Sequence, residues 1–378
     1  MAPKTKSISR AITLQTFPLN SPVSCLYFHQ SSGLFIVGTA SGAVHMLYEN
    51  KNTGKFYTTK LCSRNNEGIR TCYIDDIERK LYATVGDRSV IVWDLQNLVG
   101  SETDEGTAAF ETFEYLRQHS YGSCSYSYVL QWKKLILLIY TRSMTSMQLD
   151  FDKMDNQLQK KVLPSDPDEF KYGPTQESFK LPLTQTQTPI CFDGTHLIVR
   201  NHESKATWNL EVYDWKDERK LLKTIKVRMS GLTALVPTNI MINGDDLFAV
   251  INDKTLTCWS VSSGEIKYKV KASSAFVSME VCVRATKTTS AQTTQNGAST
   301  IDEAVVVSVH RDSVIRIHKK GVLAAAHKLP NSMCQFNLGI GYMLRSKIVY
   351  KTEDNASFVH RVFFNDDTGI HMAELEQI

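Results

Sequence analysis

Short apolar segments separated by brief polar turns extend along most of the chain. In LYATVGDRSVIVWDL, residues 81–95, an apolar stretch is followed by a tight polar turn and a second apolar stretch. β-Branched and aromatic residues that alternate around Gly, Asn and Asp are typical of a β-hairpin. The same pattern recurs, in places with a longer turn, at 34–49, 135–150, 196–215, 247–261, 305–318 and 341–364. The sequence therefore predicts seven hairpins.

A further strand is predicted in front of each hairpin. Six of these preceding segments contain a cysteine, namely Cys25, Cys72, Cys124, Cys191, Cys282 and Cys334. Their recurrence at one phase of the repeat indicates small core residues rather than a metal or redox site. Another strand follows most hairpins, for example at 55–61 and 265–270. Four strands in a period of about 50 residues are typical of the blade of a β-propeller.

The repeat endings carry a resemblance to a known family. Residues 90–94, VIVWD, and the shorter CWS at 258–260 resemble the endings of WD-repeat β-propellers, although the family's Gly-His dipeptide occurs nowhere in the chain. In that family a hydrogen-bonded tetrad joins the His to a Ser or Thr, a turn Asp and the Trp. The resemblance implies structural roles for Thr84, Asp87, Trp93, Asp94, Asp253, Trp259 and Asp312.

The expected fold is all-β: a seven-bladed β-propeller of four-stranded antiparallel blades, spanning residues 11–378. The ring must close, because its first and last blades otherwise expose strand edges. An N-terminal strand within residues 8–17 is predicted to complete the last blade. Residues 1–10 are expected to form a flexible basic tail. Insertions are predicted near 97–106, 164–188 and 286–302.

Composition narrows the class of protein. The 378 residues are 42% hydrophobic and 22% charged, which is ordinary for a globular protein and argues against a disordered or fibrous one. The longest apolar run, residues 135–140, is far shorter than the ~20 residues of a membrane helix. No secretory signal pattern is present at the N-terminus. We therefore expect reduced cysteines and a cytoplasmic or nuclear location.

The chain contains none of the common motifs for binding nucleotides or metals, or for activating a nucleophile. The segments predicted as first strands carry Cys, Val, Ile, Tyr and Phe rather than clustered carboxylates or histidines. We therefore predict that the protein is not an enzyme and that it uses no cofactor, no metal and no small-molecule substrate.

The turns offer a candidate binding surface. The resemblance implies that the turns between second and third strands share one face with the segments that enter each blade. Six of the seven turns carry a Lys or Arg. The predicted partner-binding residues are Arg88, Arg142, Lys205, Lys254 and Arg311 in the turns, with Arg64, Arg70 and Arg228 in the entering segments. Arg donates paired hydrogen bonds to carboxylates and phosphates. The alternative is that exposed turns simply favour Lys and Arg.

Together these features predict a non-catalytic interaction scaffold, a WD-repeat subunit of a multiprotein complex that binds an acidic or phosphorylated partner segment. One alternative is a phosphoinositide-binding propeller. Such propellers carry a paired-arginine signature, which residues 344–347 match only poorly. Another is a nucleic-acid-associated subunit in ribosome assembly or RNA processing, for which the pI of about 8.5 is slight support. Gln96 stands where ligase-docking propellers usually have Arg, which disfavours a receptor role in a ubiquitin ligase.

Overall fold

The regular elements of the described residues are β-strands. A computed structural model describes residues 9–10, 13–29, 34–49, 56–61, 67–86, 89–95, 110–114, 127–140, 146–155, 173–181, 183–184, 186–202, 207–217, 219–228, 240–286, 301–329, 347–351, 359–365 and 369–375. Within these ranges the chain forms 29 strands. The all-β prediction is therefore confirmed for the described residues.

The strands are β1 (Ser9–Arg10), β2 (Thr13–Pro18), β3 (Val23–His29), β4 (Leu34–Thr39), β5 (Val44–Glu49), β6 (Phe56–Leu61), β7 (Ile69–Asp75), β8 (Lys80–Val85), β9 (Ser89–Asp94), β10 (Phe110–Glu114), β11 (Ser127–Trp132), β12 (Leu135–Tyr140), β13 (Ser146–Asp155), β14 (Gly173–Phe179), β15 (Gln187–Phe192), β16 (His196–His202), β17 (Thr207–Asp214), β18 (Lys220–Arg228), β19 (Ile240–Asn243), β20 (Asp246–Ile251), β21 (Thr255–Ser260), β22 (Ile266–Lys271), β23 (Phe276–Thr286), β24 (Ile301–His310), β25 (Val314–Lys319), β26 (Val322–Lys328), β27 (Lys347–Lys351), β28 (Val359–Asn365) and β29 (Gly369–Leu375).

The strands form two compact units. The first unit, residues 20–229, contains four sheets of four strands each: β3 to β6, β7 to β10, β11 to β14 and β15 to β18. Within every sheet, strands that follow one another in sequence are hydrogen-bonded neighbours and run antiparallel. This is the pattern of a hairpin extended by one strand on each side.

The second unit, residues 1–19 with 230–378, contains three sheets. Strands β19 to β22 form one, and β27 to β29 form another together with β2. Strands β23 to β26 form the third, and β1 lies parallel to β26 at its outer edge, with Ser9 opposite His327. Six sheets, not seven, are therefore the four-stranded antiparallel sheets that were expected. The physical reason is that Ser9 and Arg10 pair with β26 before the chain reaches β2.

The N-terminal segment predicted as one strand is thus divided between two sheets. β2 pairs antiparallel with β29, from Thr13 opposite Glu374 to Pro18 opposite Gly369. Gly369 has φ +148°, and a Cβ there would lie 2.3 Å from the Phe17 carbonyl oxygen, so this close approach requires glycine. Residues 1–8 of the expected tail lie outside the described residues.

Buried apolar side chains pack between successive sheets of each unit. In the first unit, Ile36 and Ile69 meet Ile91 and Trp93 in one such layer. A Cβ at residue 38 would lie 2.5 Å from Ile69 Cγ2, so Gly38 lets the first two sheets approach closely. Similar layers join the later sheets of this unit, and one joins β19–β22 to β23–β26 in the second.

The predicted insertions fall only partly within the described residues. Residues 97–106 lie outside them, as do 164–172 and 287–300. The segment predicted as an insertion at 164–188 contains β14, which is the outer strand of the third sheet.

Candidate functional site

In the first unit, the turn between second and third strands is hydrogen-bonded to the segment that enters the same sheet. The N–H of Ala40 donates to Pro22 O at 2.8 Å, and the N–H of Gly86 donates to Gly68 O at 2.9 Å. A third bond of 3.0 Å joins the His202 N–H to Thr186 O. We call the end of each sheet where these turns lie the turn edge.

In the second unit, residues 272–276 connect the turn edges of two successive sheets. The Phe276 N–H donates to Asp253 O at 2.6 Å, and the Arg311 N–H donates to Ala275 O at 2.9 Å. Lys254 O accepts the Ala272 N–H at 2.8 Å. The side chains of Lys254 and Arg311 are both exposed, and they lie on either side of this connecting segment.

The carboxylate of Asp312 is used within its own sheet. It accepts hydrogen bonds from both terminal nitrogens of the buried Arg316, at 3.0 and 2.6 Å. Burial opposes ionisation of Asp312, but the Arg316 hydrogen bonds and charge hold the pKa of this carboxyl below its usual value. Arg311 is therefore adjacent to a carboxylate that is already neutralised, and the outward charge of this turn is positive.

The opposite ends of the sheets in the first unit carry a charge cluster that sequence reasoning missed. Lys134 lies in the turn between β11 and β12, and its side chain is only 7% exposed. Its Nζ lies 2.5 Å from Asp75 Oδ2, 2.8 Å from Glu78 Oε1 and 3.4 Å from Asp152 Oδ1. Burial opposes the charge of Lys134, but hydrogen bonds to Asp75 and Glu78 outweigh it and raise the pKa of the ammonium. The cluster joins the second sheet to the third.

The turn between β7 and β8 is held in place by this cluster. Asp75 Oδ1 accepts the N–H groups of Ile77 and Glu78 at 2.8 and 3.0 Å. The Tyr82 hydroxyl donates to Glu78 Oε2 at 2.9 Å. These bonds fix a turn whose tip, Ile77, is 94% exposed.

Comparison with known proteins rests on structure, since no family model and no curated protein sequence matches the chain. The WD40 β-propeller domain of Doa1 has a TM-score of 0.51 at 11% identity, covering 97% of each chain. The structure of Saccharomyces cerevisiae Sqt1 has a TM-score of 0.56 at 8% identity, and the match covers 98% of this chain and 100% of that one. The Myceliophteria thermophila Cps50 (Swd1) β-propeller domain has a TM-score of 0.52 at 13% identity, and the match covers 97% of this chain and 100% of that one.

The fold is that of a WD-repeat β-propeller. The resemblance read from the repeat endings is therefore confirmed. Because sequence identity is low throughout, what this propeller shares with these structures is the course of its backbone. Most of the motif residues of WD repeats are absent from its sequence.

The structure describes the side chains of three predicted partner-binding residues of the propeller. Lys254, Arg311 and Arg70 are all exposed. Arg70 lies at the start of β7 in the first unit, whereas the other two lie in the second. Arg228 ends β18, but its side chain lies outside the described residues, as do Arg64, Arg88, Arg142 and Lys205.

Most of the predicted structural residues of the propeller are described. Thr84 is fully buried, and its hydroxyl lies 2.5 Å from that of Thr71. Trp93 and Trp259 are buried, and Asp94 is partly exposed at the end of β9. Asp253 has φ +59° in its turn. Asp87 lies outside the described residues, so the tetrad of this repeat remains a prediction.

Within the described part of the propeller, no group of three or more His, Cys, Asp or Glu side chains is placed to hold a metal ion. No helix in that part is long and apolar enough to cross a membrane. Among the cysteines of the predicted first strands, Cys25 and Cys72 are buried and Cys191 is partly buried.

Proposed function

We propose that this WD40 propeller is a non-catalytic scaffold, a subunit of a multiprotein complex in the cytoplasm or nucleus, that binds an acidic or phosphorylated partner segment at its turn edge. One observation carries the proposal. Lys254 and Arg311 are exposed on either side of a hydrogen-bonded connecting segment, while the neighbouring Asp312 is neutralised by the buried Arg316.

The proposed architecture extends this observation to the whole chain. Each four-stranded antiparallel sheet would be a blade of a propeller, and β2 would complete the last blade by pairing with β29. Neighbouring propellers of known structure match 97% to 98% of the chain, which supports a single repeat-built fold. The other predicted partner-binding residues, Arg64, Arg70, Arg88, Arg142, Lys205 and Arg228, would serve the same partner chemistry within the first unit.

Fixed, exposed cations suit this partner chemistry. The connecting segment 272–276 is held by backbone hydrogen bonds to both turns, so the two side chains project from a rigid base. No described residue forms an ion pair with either cation, so a carboxylate or phosphate approaching them would gain charge-assisted hydrogen bonds without breaking one of those contacts. Charged residues at such a surface contribute to association rate and specificity as well as to affinity.

The test begins with affinity purification from the source cell, followed by mass spectrometry to identify the partner. The double variant Lys254→Glu and Arg311→Glu should then weaken binding of that partner by at least about tenfold. Its matched control is Lys269→Glu with Lys320→Glu, which changes the net charge equally at two exposed positions of the same unit. Both variants should retain the wild-type melting temperature.

Equal binding by the wild type and by the Lys254 and Arg311 double variant would refute the proposed site. Flotation with phosphoinositide liposomes, or salt-dependent binding to RNA, without any protein partner would instead favour one of the alternative functions. These two assays use the same purified chain.

A further inference from the structure

We propose that the turn edge of the second unit binds a phosphate group on a phosphorylated Ser or Thr of the partner, with the Ser273 hydroxyl as a third donor beside Lys254 and Arg311. This inference rests on the proposed function and narrows its partner chemistry from any acidic segment to a phosphorylated one. Ser273 is not among the residues that the sequence predicted for this surface. All three residues belong to the second unit.

Ser273 lies in the connecting segment between the two cations, and its side chain is exposed. The preceding residue, Ala272, donates its N–H to Lys254 O at 2.8 Å. Two residues after Ser273, the carbonyl oxygen of Ala275 accepts the Arg311 N–H at 2.9 Å. These backbone bonds hold the serine and both cations on one short stretch of the turn edge.

A buried cation positions the hydroxyl of Ser273. Arg316, which is 8% exposed, donates from Nη2 to Ser273 Oγ at 3.1 Å. A guanidinium has no acceptor, so the hydroxyl hydrogen of Ser273 must point to another group. Among the described residues, none accepts that hydrogen. The serine therefore offers its O–H to a ligand that arrives from solvent, and its bond to a cation strengthens it as a donor.

The charges around the site favour a phosphate over a single carboxylate. The exposed Lys271 ends β22, immediately before the connecting segment, and Lys328 Nζ donates to Asp312 O at 2.5 Å. The carboxylates of these turns are Asp312, which pairs with Arg316, and Asp253, which is partly buried. Positive charge is therefore in excess. A phosphate carries roughly −1.5 to −2 at neutral pH, so it gains more from this excess than a carboxylate does.

The number of donors also suits a phosphate. A phosphorylated side chain has three strong acceptor oxygens, whereas a carboxylate has two. The site offers an ammonium from Lys254, a guanidinium from Arg311 and a hydroxyl from Ser273. A carboxylate bound to the two cations would leave the hydroxyl to water. A phosphate can use all three donors.

Phosphatase treatment of the affinity-purified partner tests the inference with the full-length chain. Removing phosphate from the partner should weaken its binding to the wild type about tenfold or more. Binding that survives the phosphatase but is lost in the double variant Lys254→Glu and Arg311→Glu would overturn the phosphate site and leave the proposed function standing. Binding that neither treatment changes would overturn both.

A synthetic phosphopeptide, with the sequence around the phosphate that mass spectrometry locates in the partner, then tests the role of Ser273 by fluorescence anisotropy. Ser273→Ala should weaken its binding about fivefold. The matched control is Ser263→Ala, which removes an exposed hydroxyl from the turn between β21 and β22 of the same unit. This control should bind the phosphopeptide as the wild type does.

A second peptide, with Glu in place of the phosphorylated residue, separates phosphate from carboxylate. It should bind the wild type about tenfold more weakly, and Ser273→Ala should not weaken it further. Equal affinities for the two peptides, or equal effects of Ser273→Ala and Ser263→Ala, would contradict the inference. Displacement of the phosphopeptide by phosphoinositide liposomes but not by excess unlabelled phosphopeptide would assign the site to a lipid head group and would also overturn it.

Discussion

Lys134 shows how one buried side chain can organise a surface. Its ammonium forms ion pairs with Asp75, Glu78 and Asp152, which come from two sheets. This cluster was not predicted from the sequence, because Asp75 and Glu78 are far from Lys134 and Asp152 in the chain and a Lys in a turn is ordinarily exposed. Trp93, which was predicted to have a structural role, is buried, and that role stays a prediction.

Replacing Lys134 by Met should destabilise the protein by about 3 kcal/mol, because the buried carboxylate of Asp75 would lose its cation. Because Glu78 and Asp152 are partly exposed, the expected loss of stability is at the lower end of the range for breaking a buried ion pair. Lys153→Met is the matched control, since Lys153 is well exposed and pairs with Asp150 at 3.3 Å. Its expected effect is under about 1 kcal/mol. Urea denaturation measures both, and similar values would contradict this account of the cluster.

Two buried histidines predict a dependence of stability on pH. Burial, with the nearby Arg316, lowers the pKa of His310 and of His318 to about 4. The unfolded chain binds these protons below about pH 6.5. The free energy of unfolding should therefore be unaffected by these groups above that pH and should fall as the pH drops toward 4, by up to about 1.4 kcal/mol per pH unit for each histidine.

The measurement is chemical denaturation at several pH values between 6.5 and 4.5. His318→Leu should reduce the slope of unfolding free energy against pH relative to the wild type. The pKa values of Asp75 and Asp312 are lowered, so these carboxyls titrate below this window and do not obscure the comparison. An unchanged slope would show that His318 is already protonated in the folded protein.

At the scale of strands and sheets, alternation in the sequence located most hairpins, because each has apolar residues on both sides of a polar turn. The N-terminal strand was predicted to pair with the last blade, and β2 does pair with β29. What alternation could not show is that Ser9 and Arg10 pair elsewhere, with β26. A strand of two residues is too short to show an alternating pattern, so only the folded backbone shows which strand it pairs with.

Deleting residues 1–18 should lower the melting temperature by more than about 5 °C, because β2 covers the edge of β29 and buries Phe17. Deleting residues 1–8 is the control, since it leaves β1 and β2 in place. Differential scanning calorimetry compares the two truncated chains. A melting temperature unchanged by the longer deletion would refute the structural role of β2.

At the scale of the whole molecule, the repeat in the sequence was sufficient to predict a propeller, and the structural comparisons confirm that fold. The candidate site followed partly from the same repeat, because the position of a turn within its four-stranded repeat determines at which edge of the sheet the turn lies. The cluster around Lys134 could not be predicted, since Asp75, Glu78 and Asp152 meet its ammonium only in the folded chain. The identity of the partner cannot be read from the fold, because propellers serve many functions.

The most direct test of the central claim is a cryo-electron microscopy structure of this chain bound to its affinity-purified partner. The account predicts that an acidic or phosphorylated segment of the partner contacts Lys254 and Arg311 at the turn edge. A partner that leaves both side chains in solvent, and binds elsewhere on the propeller, would contradict it.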